Sequence, residues 1–197
     1  MTIASLSYAG QTVKAEPLTP AAFAKFGYCI SPGDSCTPVP EGAHGLTYLQ
    51  ANASVPVNNY DQSKFATEAP CAFNLQRFAP HATLDRKRGV YTAVMLERHP
   101  YTTQTFFPMG VAAAEAAYLV IVAENDVANG NLPDLGTLRA FVARGSQSVT
   151  YGAAVWHGST AALRDHLDMT MFMYNNGVKA DEVEVVQIAP GVRIEYE

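Results

Sequence analysis

Cysteine is scarce: only Cys29, Cys36 and Cys71 occur in 197 residues, and none stands in a C-x-x-C pair or beside a histidine at metal-ligand spacing. An odd, unspaced set of this kind excludes a disulfide framework and a cysteine-based zinc module. It suits reduced thiols in a cytoplasmic protein. Charge is also thin, at 16% Asp, Glu, Lys and Arg with a net charge of −5. Lys and Arg are scattered except at Arg86-Lys87-Arg88, which precedes Gly89 and reads as a solvated turn. The basic stripe that a phosphate backbone requires is missing, so nucleic acid is excluded as a partner. Long apolar runs are missing too. The longest, Ala116 to Ala123, falls far short of the roughly 20 residues a membrane helix needs. Met1 to Gly10 carries neither a basic stretch nor the long apolar stretch of a secretory leader, so a cytoplasmic location with no membrane partner is expected.

What remains is 48% apolar, and a chain of this length suits one domain over residues 1–197 with a core large enough to need no staples. Thr19 to Gly27 reads as a short helix, with Thr19 as N-cap, Pro20 at the first helical position and Gly27 as the left-handed stop. Residues 31–59 are rich in Pro, Gly, Ser and Asn and read as loop. Beyond Cys71, short runs rich in Val, Tyr, Phe and Thr recur between turn signals. They predict strands over 71–78, 90–99, 104–108, 116–123, 139–143, 147–152, 166–174 and 183–188, with a second short helix over Asp134–Leu138. So many strands against so few helices argue for an all-β barrel or sandwich rather than a βαβ fold. In the strand 166–174, Leu167, Met169, Met171 and Met173 fall on one side, as core filling. Asp168 falls on the other, facing solvent or lumen.

The side chains with chemistry to offer concentrate in two places. Glu97 and His99, two apart on a strand, point to one face while Arg98 points away. Gln104, past a Pro-containing turn, can return to the same pocket. Farther along, Tyr151 and His157 supply a phenol and a second imidazole. His44, His81 and His166 match no pattern and read as loop or surface residues. The spacing Glu97-x-His99-x4-Gln104 resembles the first metal motif of cupins, with Glu for the first His and Gln for the Glu, and Tyr151-Gly152-x4-His157 resembles the second.

The resemblance is closer to one family. Leu96-Glu97-Arg98-His99-Pro100-x3-Gln104-x-Phe106-x-Pro108-Met109, Pro133-Asp134-Leu135-x-Thr137-Leu138-Arg139-Ala140-Phe141, Gly145-x-Gln147-x-Val149-x-Tyr151 and Val155-Trp156-His157 resemble ureidoglycolate lyases in order and spacing. Pro17-Leu18-Thr19-x3-Phe23-x2-Phe26-Gly27 extends the match, whereas residues 31–70 match poorly and Gly158-Ser159 departs from the family pattern. The resemblance implies a cupin-like double-stranded β-helix barrel with one or two short helices. It also implies a homodimer that splits ureidoglycolate into glyoxylate and urea in allantoin and purine breakdown.

Such a reaction needs a base for the carbinol proton, an acid for the departing nitrogen and a group to fix the carboxylate. His99 and His157 are the candidates for base and acid, Tyr151 for a proton carrier or hydrogen-bond donor, and Gln104 for a partner to an amide-bearing substrate. Arg77 shares a face with Cys71, Phe73 and Leu75 and is assigned to the substrate carboxylate. Glu97 and Asp168 complete the substrate-binding set, with Glu97 alternatively orienting His99 or pairing with a structural Arg such as Arg139. Glu97, His99, Gln104 and His157 together form a mixed nitrogen and oxygen cup acceptable to a divalent metal, and a metal-free pocket is the alternative. Two rivals stay open: another metal-dependent cupin enzyme on a small hydroxy acid, and a non-catalytic cupin that binds or senses a small carboxylate.

Overall fold

The computed structural model describes residues 4–10, 12–31, 54–61, 63 and 70–197. Cys36, His44 and most of the expected loop over 31–59 lie outside those residues. In chain order the first elements are β1 (Ala4–Ser7), β2 (Val13–Lys14), β3 (Glu16–Pro17), α1 (Pro20–Phe23), β4 (Gly27–Ile30), β5 (Cys71–Phe78) and β6 (Leu84–Asp85). The central ones are β7 (Val90–Arg98), β8 (Gln104–Met109), β9 (Ala116–Asp126), β10 (Leu132–Arg144) and β11 (Ser148–Tyr151). The chain ends in β12 (Trp156–His157), β13 (Ala161–Ala162), β14 (Leu167–Tyr174), α2 (Lys179–Glu182) and β15 (Glu184–Glu195). No helix among the described residues is long and apolar enough to cross a membrane.

The strands form two sheets, one ordered β1-β15-β7-β12-β9-β10-β3 and the other β4-β11-β8-β14-β5. The mostly β, cupin-like reading therefore stands, but the sheets are not hydrogen-bonded into a closed barrel and form a sandwich. The apolar run at the start of β9 explains how the larger sheet is used. Tyr118, Val120 and Val122 pack with Phe141, Met169 and Phe23 between the sheets. Leu119, Ile121 and Ala123 pack on the other face with Trp156, Ile194 and Leu96. A strand buried on both faces has no polar positions to alternate with. The methionine stripe lies inward as expected, with Leu167, Met169, Met171 and Met173 all buried.

Two local expectations change. The stretch Asp134–Leu138 is not a helix; it lies inside β10, where the register against β9 slips between Asp134 and Arg139. The turn-forming residues serve a bulge, with the Asp134 carboxylate accepting from the Gly136 amide at 2.9 Å and its carbonyl accepting from the Thr137 hydroxyl at 2.7 Å. The Thr19 cap is present, its hydroxyl accepting from the Ala22 amide at 3.1 Å, but Gly27 does not end the helix. It opens β4 at φ +144°, where a Cβ would lie 2.0 Å from the Thr150 carbonyl oxygen.

Gly27→Ala is therefore expected to cost about 3 kcal/mol, combining an unfavourable φ with a clash against main chain. Gly130→Ala, at φ +71° with nothing within 4 Å, carries only the conformational term of about 1 kcal/mol. Urea midpoints of the two variants measure the difference.

Candidate active site

Three strands from two sheets bring the reactive side chains together. β7 supplies Glu97 and leads directly to His99, and β12 pairs with it so that His157 lies opposite Glu97. Their neighbours point the other way: Arg98 lies over the Trp156 ring at 4.7 Å, bonds the Glu184 carboxylate at 2.7 Å and donates to the Asn131 carbonyl at 2.9 Å. Because successive strand residues alternate, anchoring Arg98 and Trp156 behind the sheet fixes which way Glu97, His99 and His157 face. Across the sandwich, β8 brings in Gln104, paired with Tyr151 of β11 and Met173 of β14. Glu97, His99, Gln104 and His157 line one cavity of about 300 Å³. A larger groove of about 580 Å³, bordered by Lys14, Arg88 and Arg144, contains none of them.

The two imidazoles are held in the same way. Nδ1 of His99 lies 2.6 Å from the Glu182 carbonyl oxygen and Nδ1 of His157 lies 2.9 Å from the Val155 carbonyl oxygen. A carbonyl oxygen only accepts, so each Nδ1 carries the proton. Burial, with a further contribution from His99, holds His157 down to about 3. It is thus neutral near pH 7, and its Nε2 presents a bare lone pair. Nε2 of His99 is buried with no hydrogen-bond partner among the described residues. An orphaned buried nitrogen is costly unless something occupies the space in front of it.

The Glu97 carboxylate is pushed up by burial and partly pulled back by His99. Its Oε1 stands 3.9 Å from His157 Nε2. Ligand atoms of Glu97, His99 and His157 all lie within 4.8 Å of one another. Gln104 Oε1 sits 3.2 Å from His157 Nε2, which puts two acceptors face to face. A cation bound to both resolves that contact, as does the amide turned over so that its N–H donates. Atoms about 2.1 Å from one ion and at right angles lie about 3 Å apart, so the observed spacing fits shared coordination. Two imidazoles backed by main-chain carbonyls, with one carboxylate, form the donor set of a borderline divalent metal.

Tyr151 is not on the cavity wall. Its ring stacks on His157 at 4.0 Å and 9° from behind, and burial with the nearby Glu97 charge keeps the phenol protonated. Arg77 and Asp168 point away from the cavity: they are partners in the β5–β14 register, exposed on the outer face, joined by bonds of 2.6 and 2.7 Å. Each already satisfies the other, so neither contacts a ligand in the cavity. Arg139 bonds Glu16 rather than Glu97. Sequence reasoning missed Gln76, Ser159 and Thr160, which line the cavity, and Glu182, whose carbonyl orients His99. The signal for Gln76 was the parity of β5, and it was obscured because the more apolar alternation, Phe73 and Leu75, lies on the exposed face at 70% exposure each.

Comparison with known proteins identifies the family. The family model described as ureidoglycolate lyase matches residues 10–195. A ureidoglycolate lyase of Schizosaccharomyces pombe is 36% identical over 177 residues, covering 88% of this chain and 90% of that protein. One from Saccharomyces cerevisiae is 38% identical over 177 residues, covering 84% and 87%. One from Brucella anthropi is 32% identical over 182 residues, covering 88% of each. A family match over nearly the whole chain, joined to a cupin-like sandwich with its imidazoles and carboxylate on one cavity, means that this chain belongs to the ureidoglycolate lyase family.

Proposed function

We propose that this chain cleaves ureidoglycolate to glyoxylate and urea, a carbon–nitrogen lyase reaction in allantoin and purine catabolism, at the cavity bounded by Glu97, His99, Gln104 and His157. Family membership names the reaction. The convergence of the Glu97, His99 and His157 ligand atoms is the observation that carries its placement.

In the substrate, one carbon bears a hydroxyl, a carboxylate and the ureido nitrogen. Elimination moves the hydroxyl proton to a base, converts C–O to C=O, breaks C–N and returns a proton to nitrogen. Atoms and charge balance with no co-reactant. The Glu97 carboxylate, beside both imidazoles, takes the proton and delivers it to the departing nitrogen. His157, held neutral with its proton on Nδ1, presents a bare Nε2 to the cavity and acts as an acceptor rather than as the acid, and His99 stands beside it with Nδ1 bound in the same way. With Glu97 and Gln104 Oε1 they are the residues that would hold a divalent metal, whose positive charge would fix the carboxylate and acidify the hydroxyl. A bound cation would supply the positive charge that no Lys or Arg brings to the described cavity wall. Tyr151 positions His157 by stacking.

Wild-type protein is expected to release urea and glyoxylate from racemic ureidoglycolate well above the spontaneous rate. Exhaustive chelation should lower the rate, and added divalent metal should restore it. His99→Ala and His157→Ala should each lose at least about 10²-fold in kcat and bind metal at least 10-fold more weakly. Turnover equal to the spontaneous rate, with or without metal, rules the assignment out.

The whole chain acts as one cytoplasmic domain and pairs with a second copy. The outer face of the smaller sheet supports the pairing: Phe73 and Leu75 are 70% exposed on β5, and Met109 48% and Phe107 37% on β8, the two strands that flank β14. An apolar patch of that kind on a soluble protein marks a contact surface. Sedimentation should give a dimer for the wild type and a folded monomer for Leu75→Glu. A Leu75→Glu dimer of undiminished stability would place the contact elsewhere.

A further inference from the structure

On β5, Gln76 pairs in register with Met169, whose side chain is completely buried. Partners across an antiparallel pair point to the same side, so Gln76 points inward while its neighbour Arg77 points out. It reaches the wall of the cavity that holds Glu97, His99 and His157. The other polar groups on that wall are largely committed. Gln104 contacts His157 and Met173, and the Glu182 carboxylate accepts from the Gly177 amide at 2.7 Å. The Gln76 amide makes no hydrogen bond to any described residue, nor do the hydroxyls of Ser159 and Thr160, on a different strand connection of the same wall.

This division has a chemical counterpart in the substrate. Its hydroxyl suits the carboxylate and imidazole cluster, and its carboxylate suits a cation held there. The ureido end is neutral, with an N–H donor and a carbonyl acceptor side by side. A carboxamide is the side chain that presents the complementary acceptor and donor in one plane, giving two hydrogen bonds to one group. An Arg supplies donors alone, and a Glu supplies acceptors alone. A site built to hydrogen-bond a substrate group also discriminates strongly against analogues that lack it, because its own polar atoms are then left unpaired.

We infer that Gln76 receives the ureido end of the substrate, with the Ser159 and Thr160 hydroxyls as further donors. By doing so it makes the site selective for a carbamoylamino hydroxy acid over a bare 2-hydroxy acid. The inference rests on the lyase reading above.

Three proteins test it: wild type, Gln76→Leu and the near-isosteric Gln76→Glu. Two inhibitors separate the ends of the substrate. Glycolate keeps the carboxylate and hydroxyl but has no ureido group; ureidoacetate keeps the ureido group and carboxylate but has no hydroxyl. In both variants kcat/KM for ureidoglycolate should fall about 10- to 100-fold, mostly through KM, by the loss of two hydrogen bonds in Gln76→Leu and of the donated one in Gln76→Glu. Ureidoacetate inhibition should weaken in parallel, while the glycolate inhibition constant should stay within about 2-fold and the thermal midpoint within a few degrees. Equal weakening for glycolate and ureidoacetate would reduce Gln76 to a structural role, and unchanged constants would remove it from the site. Calorimetric titration of ureidoacetate into the same proteins reads the subsite without turnover. It therefore separates a failed lyase assignment, where wild type binds ureidoacetate but does not cleave ureidoglycolate, from a failed Gln76 assignment. Absence of ureidoacetate binding to wild type overturns the subsite.

Discussion

Two hydrogen bonds from imidazole to main chain govern this site. With Nδ1 of His99 on the Glu182 carbonyl and Nδ1 of His157 on the Val155 carbonyl, both rings turn their Nε2 atoms into one small cavity. Neither bond costs the protein a charge, since a neutral imidazole donates one and keeps the other nitrogen free. Burial then makes the arrangement one-sided. It holds His157 neutral and brings a carboxylate alongside, so the cavity is rich in acceptors and poor in donors. A cation, or a substrate proton, shared among its members would stabilise such a set.

The sandwich exists on both sides of that cavity. β7 and β12 come from the sheet whose two faces are both packed, and Arg98 and Trp156 lock the reverse side of the strands that carry Glu97 and His157. β8, β11 and β14 come from the other sheet and contribute Gln104, the Tyr151 ring and the apolar floor around Met173. Residues distant along the chain meet because antiparallel register sets neighbours to within one residue. A slip of one position in β12 would exchange Trp156 for His157 and turn the imidazole away from the cavity.

Much of this was legible in the chain. The parity of Glu97 and His99 against Arg98 follows from strand periodicity alone, and the methionine stripe of β14 reads the same way. Legibility failed where periodicity has two solutions. On β5 the apolar residues Phe73 and Leu75 face outward, so the alternation that groups Arg77 with them carries it to the outer face and leaves Gln76 on the cavity wall. An exposed apolar sheet face inverts the usual rule that the greasy side is the inner one. The Asp134–Leu138 stretch failed for another reason, since Asp, Gly and Thr serve a β-bulge as readily as a helix start. The Glu182 carbonyl was invisible because a backbone acceptor leaves no mark on residue type. Closure into a barrel was likewise beyond reach, because it depends on whether the edges of two sheets meet rather than on what any strand contains.

The arrangement differs from that of a protein with freely titrating histidines. If the cavity held imidazolium groups, it would repel a metal and offer protons to a leaving group directly. As built, it gathers acceptors, and in the proposed reaction Glu97 moves the proton. Long-range proton–nitrogen NMR on histidine-labelled, metal-free protein measures this most directly. His157 is expected in the Nδ1–H form at pH 7, with a bare Nε2 whose signal, together with that of His99 Nε2, shifts when a divalent metal is added. A protonated His157 Nε2 at that pH, with both rings unmoved by metal, would contradict this arrangement.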